Sequence, residues 1–355
     1  MIKIGILTFH YAINYGAVLQ AYALREMINT FEGYEAEIIN YIPDEYVYYP
    51  YEHGEQGRDK FKQKRDKFGR FITTCLKVKE NVEHVVDGHG YDYICVGSDQ
   101  VWNVALRENV DLEYFLPNIN DNIKCISYAA SIGTNVNEIN IDLFRKYLSK
   151  FQSISLREDE GYKYIIQSKC LKECQIVLDP TQLLNKEKFE TLIPVKERIT
   201  GKFIFFFWYD NDDNMYKVAE FVNMLSRMYS IPIIHSAINA PQYLFTENSR
   251  CMMYEGVEDF LWYLKNAEYV VTNSFHGLAL SVLFEKNLYV YIAELRRSRL
   301  DNLVKMFGLE NRVIDRYISP KEINWDINYD EIRKRLNIEK VNSIDYLRSA
   351  INAER

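Results

Sequence analysis

At 355 residues the chain exceeds what one hydrophobic core usually serves, so two domains of ordinary size are expected. With 48% hydrophobic and 26% charged residues it reads as a globular protein in water, and a formal charge of -7 excludes the basic footprint of a nucleic-acid binder. No run reaches the roughly 18 apolar residues of a membrane span. Met1-Ile2-Lys3 enters a strand without a basic-then-apolar leader, so a cytoplasmic protein is expected, with peripheral attachment at the inner membrane face left open.

Residues 2–7 form a short apolar strand, and residues 17–30 read as a helix with Val18, Leu19, Ala21, Tyr22, Leu24 and Ile28 at helical spacing. Between them, Asn14 and Gly16 allow close backbone approach by a polar ligand; a βα loop without a ligand is the alternative. A strand over 37–42 follows. The stretch 58–70 then holds seven basic and two acidic residues, with Phe61 and Phe68 among them and Phe71 just beyond. It is either a solvated helix face or a basic amphipathic helix, over 58–71, that touches an anionic membrane surface or a pyrophosphate-linked acceptor.

The strand 92–96 runs into Gly97-Ser98-Asp99-Gln100-Val101-Trp102-Asn103. Asp99 and Gln100 can bond sugar hydroxyls while Trp102 offers a face to a pyranose, or the segment is a turn with a packed tryptophan. Strands over 124–129 and 153–156 come next. The second delivers Arg157 ahead of Glu158, Asp159 and Glu160, where a guanidinium can clamp an anion or pair with its acidic neighbours. A polar stretch with Pro194 and Gly201 marks a boundary, giving a first domain over 1–195, expected to take the acceptor.

The second domain, expected on the donor side, spans 196–320, and helices close the chain over 321–355. Its pattern runs strand 202–208, helix 213–228, strand 231–234, helix 257–266 and strand 268–272. At Ser274 a helix opens with His276 in its first turn. A helix start leaves about four N–H groups unpaired and carries about half a positive charge. Ser274, His276 and Gly277 thus make a candidate anion site, with Ser274 as a plain N-cap the alternative. After a strand over 288–292, Arg296-Arg297-Ser298-Arg299 opens another helix, where Arg297 and Arg299 can hold phosphate or carboxylate or form an exposed basic turn. Helices over 329–336 and 341–353 are expected to pack back on the first domain.

Short apolar runs linked by helices specify an α/β fold of two doubly wound Rossmann-like domains facing a central cleft. A G-x-G-x-x-G fingerprint is absent, so no nicotinamide cofactor is expected. The six cysteines are scattered, and His84, Asp87 and His89 match no strong template, so no metal is expected either. The oligomeric state is left open.

Several segments, in order over about residues 1–310, together resemble the polysaccharide pyruvyl transferase family. They are Gly5-Ile6-Leu7-Thr8 with Asn14-Tyr15-Gly16-Ala17-Val18-Leu19-Gln20-Ala21, the loop Gly97 to Asn103, and Ser127-Tyr128-Ala129-Ala130-Ser131-Ile132-Gly133. Ser155-Leu156-Arg157-Glu158, Leu178-Asp179-Pro180-Thr181 and Ser274-Phe275-His276-Gly277 complete the set. Two departures stand out: Asn287 where many members have proline, and basic residues near Arg297 that align loosely. The resemblance implies a fold of the GT-B kind, phosphoenolpyruvate as donor, and a sugar of a cell-surface polysaccharide or its precursor, including lipid-linked glycans, as acceptor. The product would be a pyruvate ketal. It further implies that His276 and Arg157 lie near the donor. On this basis His276 is expected at the phosphate or in proton transfer, Arg157, Arg297 and Arg299 at the donor's charges, and Asp99 at an acceptor hydroxyl. A nucleotide-sugar-dependent glycosyltransferase and a non-catalytic glycan-binding protein are the alternatives.

Overall fold

The computed structural model describes residues 1–43, 54–85, 90–104, 110–133, 141–169, 174–195, 199–209, 214–237, 245, 248–293 and 297–352. The chain divides into two compact units: Met1–Asp59 with Phe68–Leu184 and Asn337–Arg355, and Lys60–Lys67 with Asn185–Leu336.

In the first unit β1 (Ile2–Leu7) leads into α1 (Tyr15–Ile28) and β2 (Tyr34–Ile38); α2 (Gly54–Thr74) follows, with its stretch Lys60–Lys67 counted in the second unit. Then come β3 (Tyr93–Val96), β4 (Lys124–Ser127), α3 (Ile141–Leu148), β5 (Phe151–Ser153), β6 (Ser155–Leu156), α4 (Asp159–Ser168) and β7 (Gln175–Ile176). The main sheet is parallel in the order β2-β1-β3-β4-β5. Its central strands are buried on both faces, which is why they read as unbroken apolar runs. The single strand expected over 153–156 is two. The chain leaves the main sheet after Ser153 and pairs with β7, while the Ser155 hydroxyl bonds the Ser127 carbonyl (3.2 Å) and accepts from the Ala129 N–H (3.0 Å).

The second unit holds α5 (Lys186–Glu190), β8 (Ile204–Phe207), α6 (Met215–Tyr229), β9 (Ile233–His235), β10 (Ser249–Cys251), α7 (Val257–Asn266) and β11 (Tyr269–Thr272). It continues with α8 (Phe275–Leu283), β12 (Asn287–Val290), α9 (Arg297–Phe307) and the start of α10 (Tyr329–Asn352). Its sheet is parallel in the order β10-β9-β8-β11-β12. The phenylalanines of β8 divide between its faces: Phe206 shares a core with Trp208, Met215 and Val222, while Phe205 and Phe207 meet Phe260 of α7 at 5.9 and 4.8 Å.

Two expectations need correcting. The two closing helices are one, α10, because residues 337–340 contain neither glycine nor proline to stop it. From Asn337 onward it belongs to the first unit, where Leu178 N–H donates to Ser343 Oγ (2.9 Å) and Tyr346 OH donates to the Ser127 carbonyl (2.9 Å). The second correction concerns α2. Phe68 and Phe71 are buried, within 5.2 Å of the Tyr15 ring and 6.3 Å of the Tyr22 ring, so the apolar side proposed to enter a membrane is already covered by protein. Lys64 is buried as well, and desolvation pushes its pKa down to about 8. Among the described residues no helix is long and apolar enough to cross a membrane.

Each sheet has one point where successive connections turn in opposite directions: between β1 and β3 in the first, between β8 and β11 in the second. Crevices beyond the carboxyl ends of the strands at such points are where open α/β sheets bind ligands.

Candidate active site

The loops after β1 and β3 meet at the first switch point. Asn14 caps α1, its Oδ1 accepting from Gly16 N–H (2.9 Å) and Ala17 N–H (3.2 Å), so both residues expected to approach a ligand are engaged in starting the helix. One turn on, the buried Gln20 ties the loops together. Its amide donates to Thr8 Oγ1 (2.9 Å) and accepts from Ser98 N–H (3.2 Å), while Thr8 Oγ1 donates to the Ser98 carbonyl (2.7 Å). Sequence reasoning missed Gln20, although a lone amide inside an apolar helix was a signal. Gly97, at φ 120°, sits where a Cβ would lie 2.3 Å from the Tyr128 carbonyl oxygen, so this strand end can be made only by glycine. Asp99 follows in the left-handed region at φ 72°, which aspartate tolerates better than most residues, and its Oδ1 accepts from Gln100 N–H (2.9 Å).

Arg157 was expected to clamp an anion, and here its charge is already matched by carboxylates. Its side chain is 1% exposed; it donates to Asp179 Oδ2 at 3.0 Å and lies 3.7 Å from both Asp99 and Glu158. Burial works against the guanidinium's charge, but Asp179, Asp99 and Glu158 outweigh it and hold its pKa above the ordinary value. Asp179 is itself fully engaged, accepting from Ser98 Oγ (3.1 Å) and from the N–H and hydroxyl of Thr181. Arg157 thus sits among three carboxylates, with Asp179 the nearest and Asp99 and Glu158 each at 3.7 Å. Trp102 needs a similar correction. It is 0% exposed, donates Nε1–H to the Tyr114 carbonyl (2.9 Å) and stacks on Phe115 at 6.1 Å, so the face expected to meet a pyranose is covered by protein.

At the second switch point β11 ends in Thr272-Asn273-Ser274. Buried Asn273 accepts from Tyr209 N–H (2.7 Å) and donates to its carbonyl (2.8 Å), fastening the chain beyond β8 to the start of α8. Ser274 caps that helix, its hydroxyl accepting from Gly277 N–H at 3.3 Å. A Cβ on Gly277 would fall 2.4 Å from Thr272 Oγ1 and 2.9 Å from the Phe207 ring, so glycine lets the first turn press onto the strands. His276 is buried in this turn with its ring edge-on to Phe275. In α9, which packs beside α8, Arg299 is buried and Arg297 exposed; Arg296 lies outside the described residues. His235, missed in the sequence, ends β9 with its ring 4.2 Å from that of Phe245, and desolvation lowers its pKa to about 4. His84 is exposed, 3.2 Å from Glu113, while Asp87 and His89 lie outside the described residues. Among the described residues no three His, Cys, Asp or Glu side chains group as metal ligands.

A family model for polysaccharide pyruvyl transferase matches residues 14–292. No curated protein matches the chain. Among solved structures the chain is similar to S. aureus MnaA in complex with UDP, at 12% identity over 100% of this chain and 89% of that one, with a TM-score of 0.54. It is also similar to the UDP-GlcNAc 2-epimerase from Neisseria meningitidis bound to UDP-GlcNAc, at 9% identity over 100% and 95% of the two chains, with a TM-score of 0.53. At these identities the likeness is one of fold: mixed α/β, with parallel sheets in two Rossmann-like domains of the GT-B kind.

Proposed function

The chain belongs to the polysaccharide pyruvyl transferase family, and on that premise we propose that it moves a pyruvyl group from phosphoenolpyruvate to a sugar of a cell-surface polysaccharide or its precursor. The observation that carries this reading is the start of α8: Ser274, buried His276 and close-packed Gly277 lie at the switch point of the second sheet, inside the matched residues. Helix-start N–H groups and their dipole suit the donor's phosphate, and the imidazole sits where it can contact that phosphate or pass a proton. Arg299 and Arg297, on the neighbouring helix, are assigned to the donor's remaining charge.

The chemistry asked of these groups balances. A proton added to the methylene carbon of phosphoenolpyruvate makes it a methyl group and leaves an oxocarbenium-like centre at C2. One sugar hydroxyl adds there and loses its proton; the C2–O bond to phosphate then breaks, and a second hydroxyl closes the ketal, its proton balancing the phosphate that departs. Asp99 is assigned to accept a hydroxyl proton, with Arg157 and Asp179 holding it in place. Asn14 and Gly16 serve this edge through the capped start of α1, and Gln100 bonds the acceptor.

The test is phosphate release from phosphoenolpyruvate with a panel of lipid-linked and nucleotide-linked sugars. A matching mass gain on one acceptor is expected, and His276→Ala should slow release by about 100-fold or more with the fold retained. Unchanged turnover in that variant would remove His276 from the mechanism. UDP and UDP-GlcNAc, present in the two similar structures, form the control arm: consumption of a nucleotide sugar with no release from phosphoenolpyruvate would favour glycosyl transfer.

A further inference from the structure

We infer that Thr8 and Gln20 are the positioning residues of Asp99, acting through the Ser98 peptide; this rests on the reading that Asp99 accepts a hydroxyl proton. The backbone ladder between β1 and β3 ends where Gly97 N–H donates to the Leu7 carbonyl (3.0 Å). Beyond it side chains hold the loop. Ser98 N–H donates to Gln20 Oε1 (3.2 Å), the Ser98 carbonyl accepts from Thr8 Oγ1 (2.7 Å), and Ser98 Oγ donates to Asp179 Oδ2 (3.1 Å). The residue before Asp99 thus has its N–H, carbonyl and hydroxyl each taken by a side chain from a different part of the first unit.

Gln20 Nε2 donates to Thr8 Oγ1 (2.9 Å) and to the Ala17 carbonyl (2.8 Å), so both donors and the acceptor of the amide are in use and its orientation is fixed. With Gln20 donating to it, the Thr8 hydroxyl turns its own proton to the Ser98 carbonyl. Thr8 and Gln20 are 0% exposed, so neither touches a substrate. What they reach is the next residue. Asp99 stands in the left-handed region at φ 72°, its Oδ1 accepts from Gln100 N–H (2.9 Å), and it lies 3.7 Å from Arg157. Arg157 donates in turn to Asp179 Oδ2 (3.0 Å), the oxygen that takes the Ser98 hydroxyl. Ser98, Asp179, Arg157 and Asp99 therefore close a ring through one peptide bond, and Thr8 and Gln20 fasten that ring to the end of β1 and to α1. A displacement of about 1 Å at a reacting group can cost about 100-fold in rate, so release of the Ser98 peptide is felt at Asp99.

Three variants test this. Thr8→Val removes the hydroxyl at nearly constant volume, Gln20→Met removes the amide, and Thr8→Ser keeps the hydroxyl. The Gln100 amide reports on Asp99 directly, because it donates to that carboxylate. Its hydrogen exchange, referred to the Ile94 amide of β3, should be about tenfold faster or more in Thr8→Val and Gln20→Met, and like the parent's in Thr8→Ser. With phosphoenolpyruvate and an acceptor, the first two variants should lose about tenfold or more in kcat, with KM for phosphoenolpyruvate within about twofold. Neither should lower kcat further in an Asp99→Asn background. Gln100 exchange unchanged in both variants, kcat unchanged in both, or an equal loss with and without the Asp99 carboxylate overturns the proposal. Where one variant does not fold, as its melting curve shows, the other carries the comparison. If the parent releases no phosphate, or Asp99→Asn releases it as fast as the parent, the reading of the reaction falls. The exchange comparison alone then decides whether Thr8 and Gln20 hold Asp99.

Discussion

Gly277 shows how much of the candidate site is written in single residues. An N-cap serine, a histidine and a glycine within four positions announce a helix start pressed against a strand, and the close approach to Thr272 and Phe207 gives the glycine its physical reason. Residues whose partners are distant in sequence were not legible. Arg157 looked available because nothing local revealed that Asp179 would reach it from 22 positions away. His235 is another such case and carries a pH prediction. Its pKa is 6.5 when unfolded and about 4 in the folded protein, lowered by desolvation. The unfolded chain therefore takes up the proton first as pH falls. The neutral ring's contribution to stability is complete above pH 6.5 and is lost as the pH falls through 4. Denaturant unfolding at pH 7 and near pH 4 should show about 3 kcal/mol more loss in the parent than in His235→Phe. Equal losses would mean the imidazole titrates normally.

Elements were read best where one face is apolar and the ends are marked. The helix over 257–266 agrees residue for residue with α7, and α8 starts where its serine cap placed it. The failures have two causes. Strand edges moved because pairing sets them: β2 begins at Tyr34, opposite Ile2, rather than at the more apolar residues further on. Amphipathic helices gave up their faces to other parts of the protein, as with Phe68 and Phe71 of α2. The return of α10 into the first unit has a measurable consequence. Ser343→Ala leaves the Leu178 N–H without its acceptor in a buried site, and should cost about 1–3 kcal/mol, read as a lowered melting temperature. No change would mean that α10 is not docked there through this bond.

At the scale of the whole molecule, the two sheets differ in strand order, β2-β1-β3-β4-β5 against β10-β9-β8-β11-β12, yet each opens its crevice where candidate residues lie. Donor and acceptor should therefore protect different segments from hydrogen exchange. Phosphoenolpyruvate should slow amides at 273–277, and a bound acceptor sugar those at 97–104. The reverse assignment would exchange the roles given to the two units. By itself the sequence determined an α/β chain with two series of parallel strands, the helix start at Ser274 and the loop around Asp99, because periodicity, caps and glycine turns are local properties. Only the tertiary structure decided the strand order that makes those loops crevices, the carboxylates around Arg157 and the burial of Trp102. Each of these depends on side chains brought together by pairing between distant strands, which no local pattern encodes.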